Sequence, residues 1–352
     1  MEFGIALATT TDNWRVAKRA EELGFDYAWF YDTQLLNPDV FIGMTQAAMN
    51  TNKIQLGTGV LIPSNRIEPV TANAFASLNK IAPGRINFGV GTGYTGRRSM
   101  GLRAVTLARM ERYVKRVQQL VLGETITWSF EGQDRDIGFL NPEFDLVNTK
   151  DPVPLHVSAL GPKARRMAAK LGGGWINFGA DVDGANATLG DMQSAWLDEG
   201  HNPKDLYSTL FALGCVLGEG EAADVPRAMA QAGPYVAVFF HNLVETTEPG
   251  AMESVIGKEL SDSLEAYREV YLGYPEERRH LRNHRGHLMF LREDEKFLVT
   301  EKLIRQLTFT AEKAELQERI KAFADAGYSQ FTIQLVEHQY DALEQWAEVF
   351  NL

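Results

Sequence analysis

Eight short apolar runs recur along the chain, and most are followed directly by a segment with helical spacing. "FGIALA" leads to "TDNWRVAKRAEELGF", where Trp14, Ala17, Ala20 and Leu23 share one face and Gly24 marks the end. "DYAWFYD", "IQLGTGVLIP", "RINFGVGTG", "PLHVSALG", "WINFGAD", "LYSTLFALGCVLG" and "SQFTIQLVE" complete the strand series. Runs apolar on both faces and separated by helices imply parallel strands joined by right-handed crossovers. Eight such units with no shift in composition between halves predict one α/β domain over residues 1–352, a closed (β/α)₈ TIM barrel rather than an open sheet.

Two stretches fall outside the cycle and are read as insertions. One covers about 125–151 and carries Trp128, Phe130 and Phe139; the other covers about 235–300 and holds four of the seven histidines. Helical spacing within the second predicts a helical excursion before the last strand. Long insertions in compact domains are usually lids or extra packing elements.

Two Gly-Thr-Gly tripeptides, Gly57-Thr58-Gly59 and Gly91-Thr92-Gly93, end neighbouring apolar runs. Glycine weakens a strand interior and is kept where a bulge, a bend or a close backbone approach is needed. Both tripeptides are therefore expected where strands open onto a ligand.

A net charge of −11 and the lack of a long Lys/Arg cluster argue against a nucleic-acid partner. No apolar run approaches the roughly 20 residues needed to cross a bilayer. Met1 leads into "EFGIALA" without a basic flank, and a single cysteine excludes an intrachain disulfide. The expectation is a cytoplasmic protein without membrane contact. Cys215 lies in an apolar strand and reads as a buried thiol rather than a nucleophile. There is no Gly-x-Ser-x-Gly elbow, P-loop or Cys-x-x-Cys pair.

"IQLGTGVLIP", "EPVTANAFASLNKIAPGRINFGVGTG", "GRRSMGL", "MERYVKRVQQLVLGE" and "PLHVSALGPKARRMAAKLGGGWINF" together resemble the luciferase-like superfamily of flavin- and deazaflavin-dependent oxidoreductases. The likeness is strongest to the branch containing methylenetetrahydromethanopterin reductase. It implies a TIM barrel, usually a homodimer, with the coenzyme at the carboxyl ends of the strands. It further implies a bulge in the third strand with a non-prolyl cis peptide. Gly59–Val60 is the position for it, with Gly57 and Thr58 beneath the ring. Thr92 and Gly93 would form the neighbouring rim, and Tyr94 would face substrate.

"SALGPKARR" sets Ser158, Leu160, Gly161, Pro162 and Lys163 at a strand-to-helix turn. Amides at a helix N-terminus favour an anion, and Pro162 fits the first turn because it has no amide hydrogen to lose. By resemblance this turn takes the coenzyme phosphate. Asp32 ends the second strand and is expected among the catalytic residues, hydrogen-bonding the flavin or a catalytic water or else serving as a helix N-cap or loop contact. The family often has an acid followed by histidine there, and Thr33 departs from that pattern. Ala6 likewise stands where deazaflavin enzymes often carry an acid.

In "HLRNHRGHL", His284 and His287 are three apart and can share a helix face. A proton-transfer role near the flavin fits them, since histidine titrates near neutrality; no metal is expected. His156 is either at the barrel mouth or a satisfied core histidine, and Trp175 and Asn177 face one way by alternation. Trp128 and Phe139 join Tyr94 as substrate-pocket aromatics. Arg97 and Arg98 are either partners for an anion or solvent-exposed.

The leading expectation is a monooxygenase that uses reduced FMN, supplied by a separate flavin reductase, and oxygen on a small organic substrate. The alternative is deazaflavin-dependent hydride transfer. A third reading, from another class, is a non-catalytic flavin-binding barrel.

Overall fold

A computed structural model describes residues 1–352. Eight parallel strands close into a barrel in sequential order: β1 (Glu2–Leu7), β2 (Tyr27–Phe30), β3 (Gln55–Thr58), β4 (Ile86–Val90), β5 (Leu155–Ser158), β6 (Gly174–Phe178), β7 (Ser208–Leu213) and β8 (Gln330–Leu335). Register is continuous across the closing seam, where Glu2 through Leu7 pair with Gln330 through Leu335. All eight apolar runs become these strands. Burial on both faces is the reason they lack a polar alternation.

Alternation splits each strand between two cores. Outward residues such as Leu7, Phe30, Leu56, Phe88 and Phe331 join a core of 59 buried residues between barrel and helices. Inward residues form a smaller cluster around Trp29, with Ala6, Tyr27, Ile176 and Phe211. Trp29 is fully buried and donates from its indole N–H to Gln330 Oε1 at 3.1 Å. Its bulk explains a glycine read above as ligand-facing. A Cβ on Gly57 would lie 2.4 Å from the Trp29 ring, so the chain omits that side chain to seat the indole. Gly57 thus serves the barrel plug and not the mouth.

The first insertion is an antiparallel hairpin, Ile126–Phe130 against Gln133–Ile137, followed by a single 3₁₀ turn at Pro142–Phe144. Trp128 is buried, stacks on Phe130 at 4.4 Å and donates to Glu68 Oε2 at 3.1 Å. That places it against the helix Glu68–Ile81 on the outside of the barrel.

The second insertion is longer than 235–300. After β7 a two-residue strand, Val216–Leu217, pairs in parallel with Ala311–Glu312, and the chain between them makes the excursion. Its first helix runs Pro226–Thr246 through an internal Pro234, the break that put the expected start too late. The helices Lys258–Gly273 and Glu301–Leu307 pack with it around a separate core of 17 buried residues. No helix is long and apolar enough to cross a membrane.

Candidate active site

A cavity of about 450 Å³ opens at the carboxyl ends of the strands. That lies in the range of small-molecule sites, about 300–1,000 Å³, and at the face where barrel enzymes work. Each wall comes from a chain segment leaving a strand: Tyr31–Thr33 after β2, Gly59–Ile62 after β3, Gly91–Gly96 after β4, Ser158–Ala164 after β5. Phe178 ends β6 and Gln334 lies near the end of β8. The excursion returns to the same face and contributes Asn242, His287 and Leu288.

The Gly59–Val60 peptide is cis and both residues line the cavity. The loop after it is pinned by Asp32. The buried Asp32 carboxylate accepts from the Ile62 amide at 3.1 Å, from Asn65 Nδ2 at 3.0 Å, and from Arg66, whose guanidinium lies 3.0 Å away. Burial raises this carboxyl while Arg66 draws it down. The residue expected to be catalytic thus lines the cavity and holds the loop after the cis peptide.

Across the mouth, Gly91 and Gly93 are required by close packing. A Cβ on Gly91 would stand 2.6 Å from Val60 Cγ2, and one on Gly93 would stand 2.5 Å from Ile62 Cγ2. Gly93 also adopts φ +77°, the left-handed region that favours glycine, and caps the short helix Tyr94–Arg98. Thr58 does not line the cavity; its hydroxyl donates to the Gly89 carbonyl at 2.6 Å. Thr92 and Tyr94 do line it. The Arg98 guanidinium covers the Tyr94 ring at 3.7 Å and reaches Glu245 at 3.2 Å, so Arg98 is a partnered side chain and not a free anion site.

The helix Pro162–Lys170 begins at the rim, with Ser158, Leu160 and Gly161 in the lining. A Cβ on Gly161 would meet nothing within 4 Å, so the main chain there faces open space. Pro162 and Lys163 are exposed beside it in the first turn.

His156, Asn177, Trp128 and Phe139, four expected site residues, lie elsewhere. His156 is an inward residue low in the barrel, edge-on to Trp29 at 5.1 Å, with Nε2 3.3 Å from Asn87 Oδ1. Asn177 points out of the barrel and donates to the Tyr328 hydroxyl at 3.0 Å; Trp175 faces the same helix layer. Alternation holds for this pair, but Ile176 and Phe178 take the inward parity. Trp128 and Phe139 belong to or follow the outer hairpin and are absent from the lining.

Burial brings the His156 imidazole down to about 4. The ring is neutral in the folded state but titrates near 6.5 when unfolded. Its contribution is therefore complete above pH 6.5 and is lost as pH falls toward 4. The expected result is a decline in unfolding free energy of about 3 kcal/mol over that window. Urea titrations of wild type and His156→Leu check it, since the variant lacks this share of the decline.

His287 lies in the lining, and its Nε2 is 3.1 Å from the hydroxyl of Thr95, another lining residue. Burial and the nearby His284 and His241 hold its imidazole well below the usual histidine range. The ring is thus neutral in the folded protein, and its contact with Thr95 ties it to the cavity. His284 sits one layer behind, buried, with Nε2 3.0 Å from Glu245 Oε1. Sequence reading missed Thr95, Asn242, Tyr31 and Gln334. Only Gln334 left a signal, as an amide inside an apolar strand; the Tyr31 hydroxyl donates to its Oε1 at 2.7 Å.

The cavity has features that suit a flat redox coenzyme: Gly59, Gly91 and Gly93 in its lining, main chain facing open space at Gly161, and a helix N-terminus at the rim. Comparison with known proteins agrees. The family model described as luciferase-like monooxygenase matches residues 4–330. The chain is 29% identical over 233 residues to 5,10-methylenetetrahydromethanopterin reductase of Methanolobus tindarius, covering 65% of this chain and 69% of that one. It is 33% identical over 187 residues to the F420-dependent glucose-6-phosphate dehydrogenase of Kineococcus radiotolerans, covering 49% of this chain and 54% of the relative. Matches therefore span from about half to two thirds of these relatives. The solved coenzyme F420 dependent tetrahydromethanopterin reductase of Methanopyrus kandleri shares the fold, with TM-score 0.74 at 18% identity over 99% of this chain and 97% of that one. The relatives favour the hydride-transfer alternative over the expected oxygenation.

Proposed function

The chain belongs to the luciferase-like monooxygenase family, and within it we propose that the chain works as a deazaflavin-dependent reductase or dehydrogenase. It is an oxidoreductase that uses a flavin or deazaflavin coenzyme; the choice of deazaflavin is our inference from the relatives. One observation carries the reading: Gly59–Val60 and Gly91–Gly93 line one cavity together with a hydrogen-bonded pair, Thr95 and His287.

A bound deazaflavin supplies hydride transfer to or from a substrate carbon. Gly59, Val60 and the Gly91–Gly93 segment would hold its ring, and the turn from Ser158 to Lys163 would hold its phosphate. The protein's own task is the proton. Oxidation of an alcohol releases a proton that Thr95 and His287 are placed to receive, and reduction draws it back from them. Phe178, Ile62 and Leu107 give the cavity apolar walls that keep water away from the reacting carbon. Tyr31 and Gln334 offer a paired hydroxyl and amide for orienting a polar substrate group.

This reading dispenses with a separate flavin reductase. A small organic substrate and a homodimer remain part of the proposal, the latter checked by sedimentation. Anaerobic fluorescence titration with the deazaflavin and with FMN tests the coenzyme. The expected result is saturable binding of the deazaflavin and a reduced complex that survives admission of air for minutes. Binding of FMN alone, with rapid oxygen uptake by the reduced complex, would overturn it.

A further inference from the structure

Three histidines meet behind the cavity wall. The ring centroids of His284 and His287 are 5.9 Å apart, those of His241 and His287 6.2 Å, and those of His241 and His284 6.3 Å. Each ring uses Nε2 on a different partner: His287 on Thr95, His284 on Glu245, His241 on Glu295. All three Nδ1 atoms are buried without a hydrogen-bond partner. A buried unpartnered polar atom costs about 1–3 kcal/mol, so three in one cluster call for a function. The rings do not assemble as ligands for a metal ion.

We propose that Thr95, His287, His284 and Glu245 form a proton relay from the cavity to solvent. The proposal rests on the hydride-transfer reading and adds the route its proton takes. When an alcohol carbon gives up its hydride to the coenzyme, the substrate O–H bond breaks and Thr95 Oγ1 takes that proton, passing its own to His287 Nε2. His287 releases the hydrogen at Nδ1 to the unpartnered Nδ1 of His284, whose ring centroid is 5.9 Å away, directly or through a bridging water. The Nε2 hydrogen of His284 passes to Glu245. Its side chain is 12% exposed, against 3% for that of His284, and it returns the proton to water. Imidazole suits each hop because it accepts at one nitrogen while releasing from the other.

Charged groups flank the cluster at both ends. Arg98 lies 3.2 Å from Glu245 and is the more exposed of the two. On the far side His241 faces Glu295, whose carboxyl burial pushes up to about 7 and which lies 2.7 Å from Arg292. Arg292 is held in turn by Asp294 at 3.1 Å and by the hydroxyls of Tyr267 and Tyr274 at 3.0 and 3.2 Å. Glu295 gives His241 no opening to solvent, its side chain being 1% exposed, whereas that of Glu245 is 12% exposed.

The test uses full-length protein labelled with ¹⁵N-histidine, without coenzyme. Exchange of the His287 ring hydrogen with water is followed by NMR in wild type, Glu245→Gln and His284→Gln. Both substitutions are expected to slow exchange at least tenfold. In coenzyme-loaded protein they lower turnover about tenfold, and millimolar imidazole buffer restores it, whereas wild type does not respond to buffer. Unchanged exchange with no buffer dependence in either variant overturns the relay. Glu245→Gln is nearly isosteric and decides the matter if His284→Gln does not fold. Failure of wild type to bind deazaflavin would sink the hydride-transfer reading alone, because the exchange measurement needs no coenzyme.

Discussion

His287→Ala is expected to lower kcat by 100-fold or more, the lower end of what a positioned acid or base contributes. Thr95 then has no ring nitrogen to receive its hydrogen, and the cavity keeps no other neutral base: the Asp32 carboxylate is consumed by Ile62, Asn65 and Arg66. Coenzyme affinity is expected to change less than threefold, because the glycine cradle lies on other segments. The pH profile carries a second signature. Since burial holds the His287 imidazole well below its ordinary range, wild-type kcat/KM stays level through pH 6.5 and declines only at lower pH. That acidic decline disappears in the variant. Equal loss of coenzyme binding and of kcat would show that His287 props up the cavity and moves no proton. Stopped-flow absorbance for kcat and fluorescence titration for binding separate the two.

The largest effect on stability is expected from Gly89→Ala. A Cβ at Gly89 would lie 1.9 Å from the Thr58 carbonyl oxygen and 3.2 Å from the Trp29 ring. The first obstacle is backbone, which cannot rotate away as a side chain tip can. Strands β3 and β4 would have to separate at the point where Thr58 donates to the Gly89 carbonyl. Overpacking of a well-filled core costs about 1–3 kcal/mol, and a backbone clash belongs at or above the top of that range. Urea denaturation should show a loss of about 3 kcal/mol or an insoluble product. Gly161→Ala is the control: its Cβ meets nothing within 4 Å, so stability should move by less than about 0.5 kcal/mol.

The barrel was readable because its strands carry one physical message, burial on both faces. That message survives without knowledge of any partner segment. Gly59, Gly93, Ser158, Gly161 and Tyr94 were readable for a related reason, as all lie where a strand gives way to its following loop. Parity was harder. Asn177 and Phe178 are neighbours at the end of β6, and nothing local tells which one faces the axis. Gly57 misled because an invisible neighbour, the Trp29 indole, demanded the empty space. Trp128 misled because an aromatic in an insertion has the same appearance whether it caps a cavity or stacks within an outer hairpin. Asn242 sits near the C-terminal end of a 21-residue helix, where position on the face toward the mouth depends on how the whole excursion docks.

The excursion between Leu217 and Ala311 enters and leaves through adjacent strands, and it carries its own apolar interior. The cavity is thereby shared between two parts of one chain, with Thr95 supplied by the barrel and His287 by the excursion. A cassette exchanged at that point has to bring back a partner for Thr95 if turnover is to survive, which ties substrate change to the preservation of one hydrogen bond.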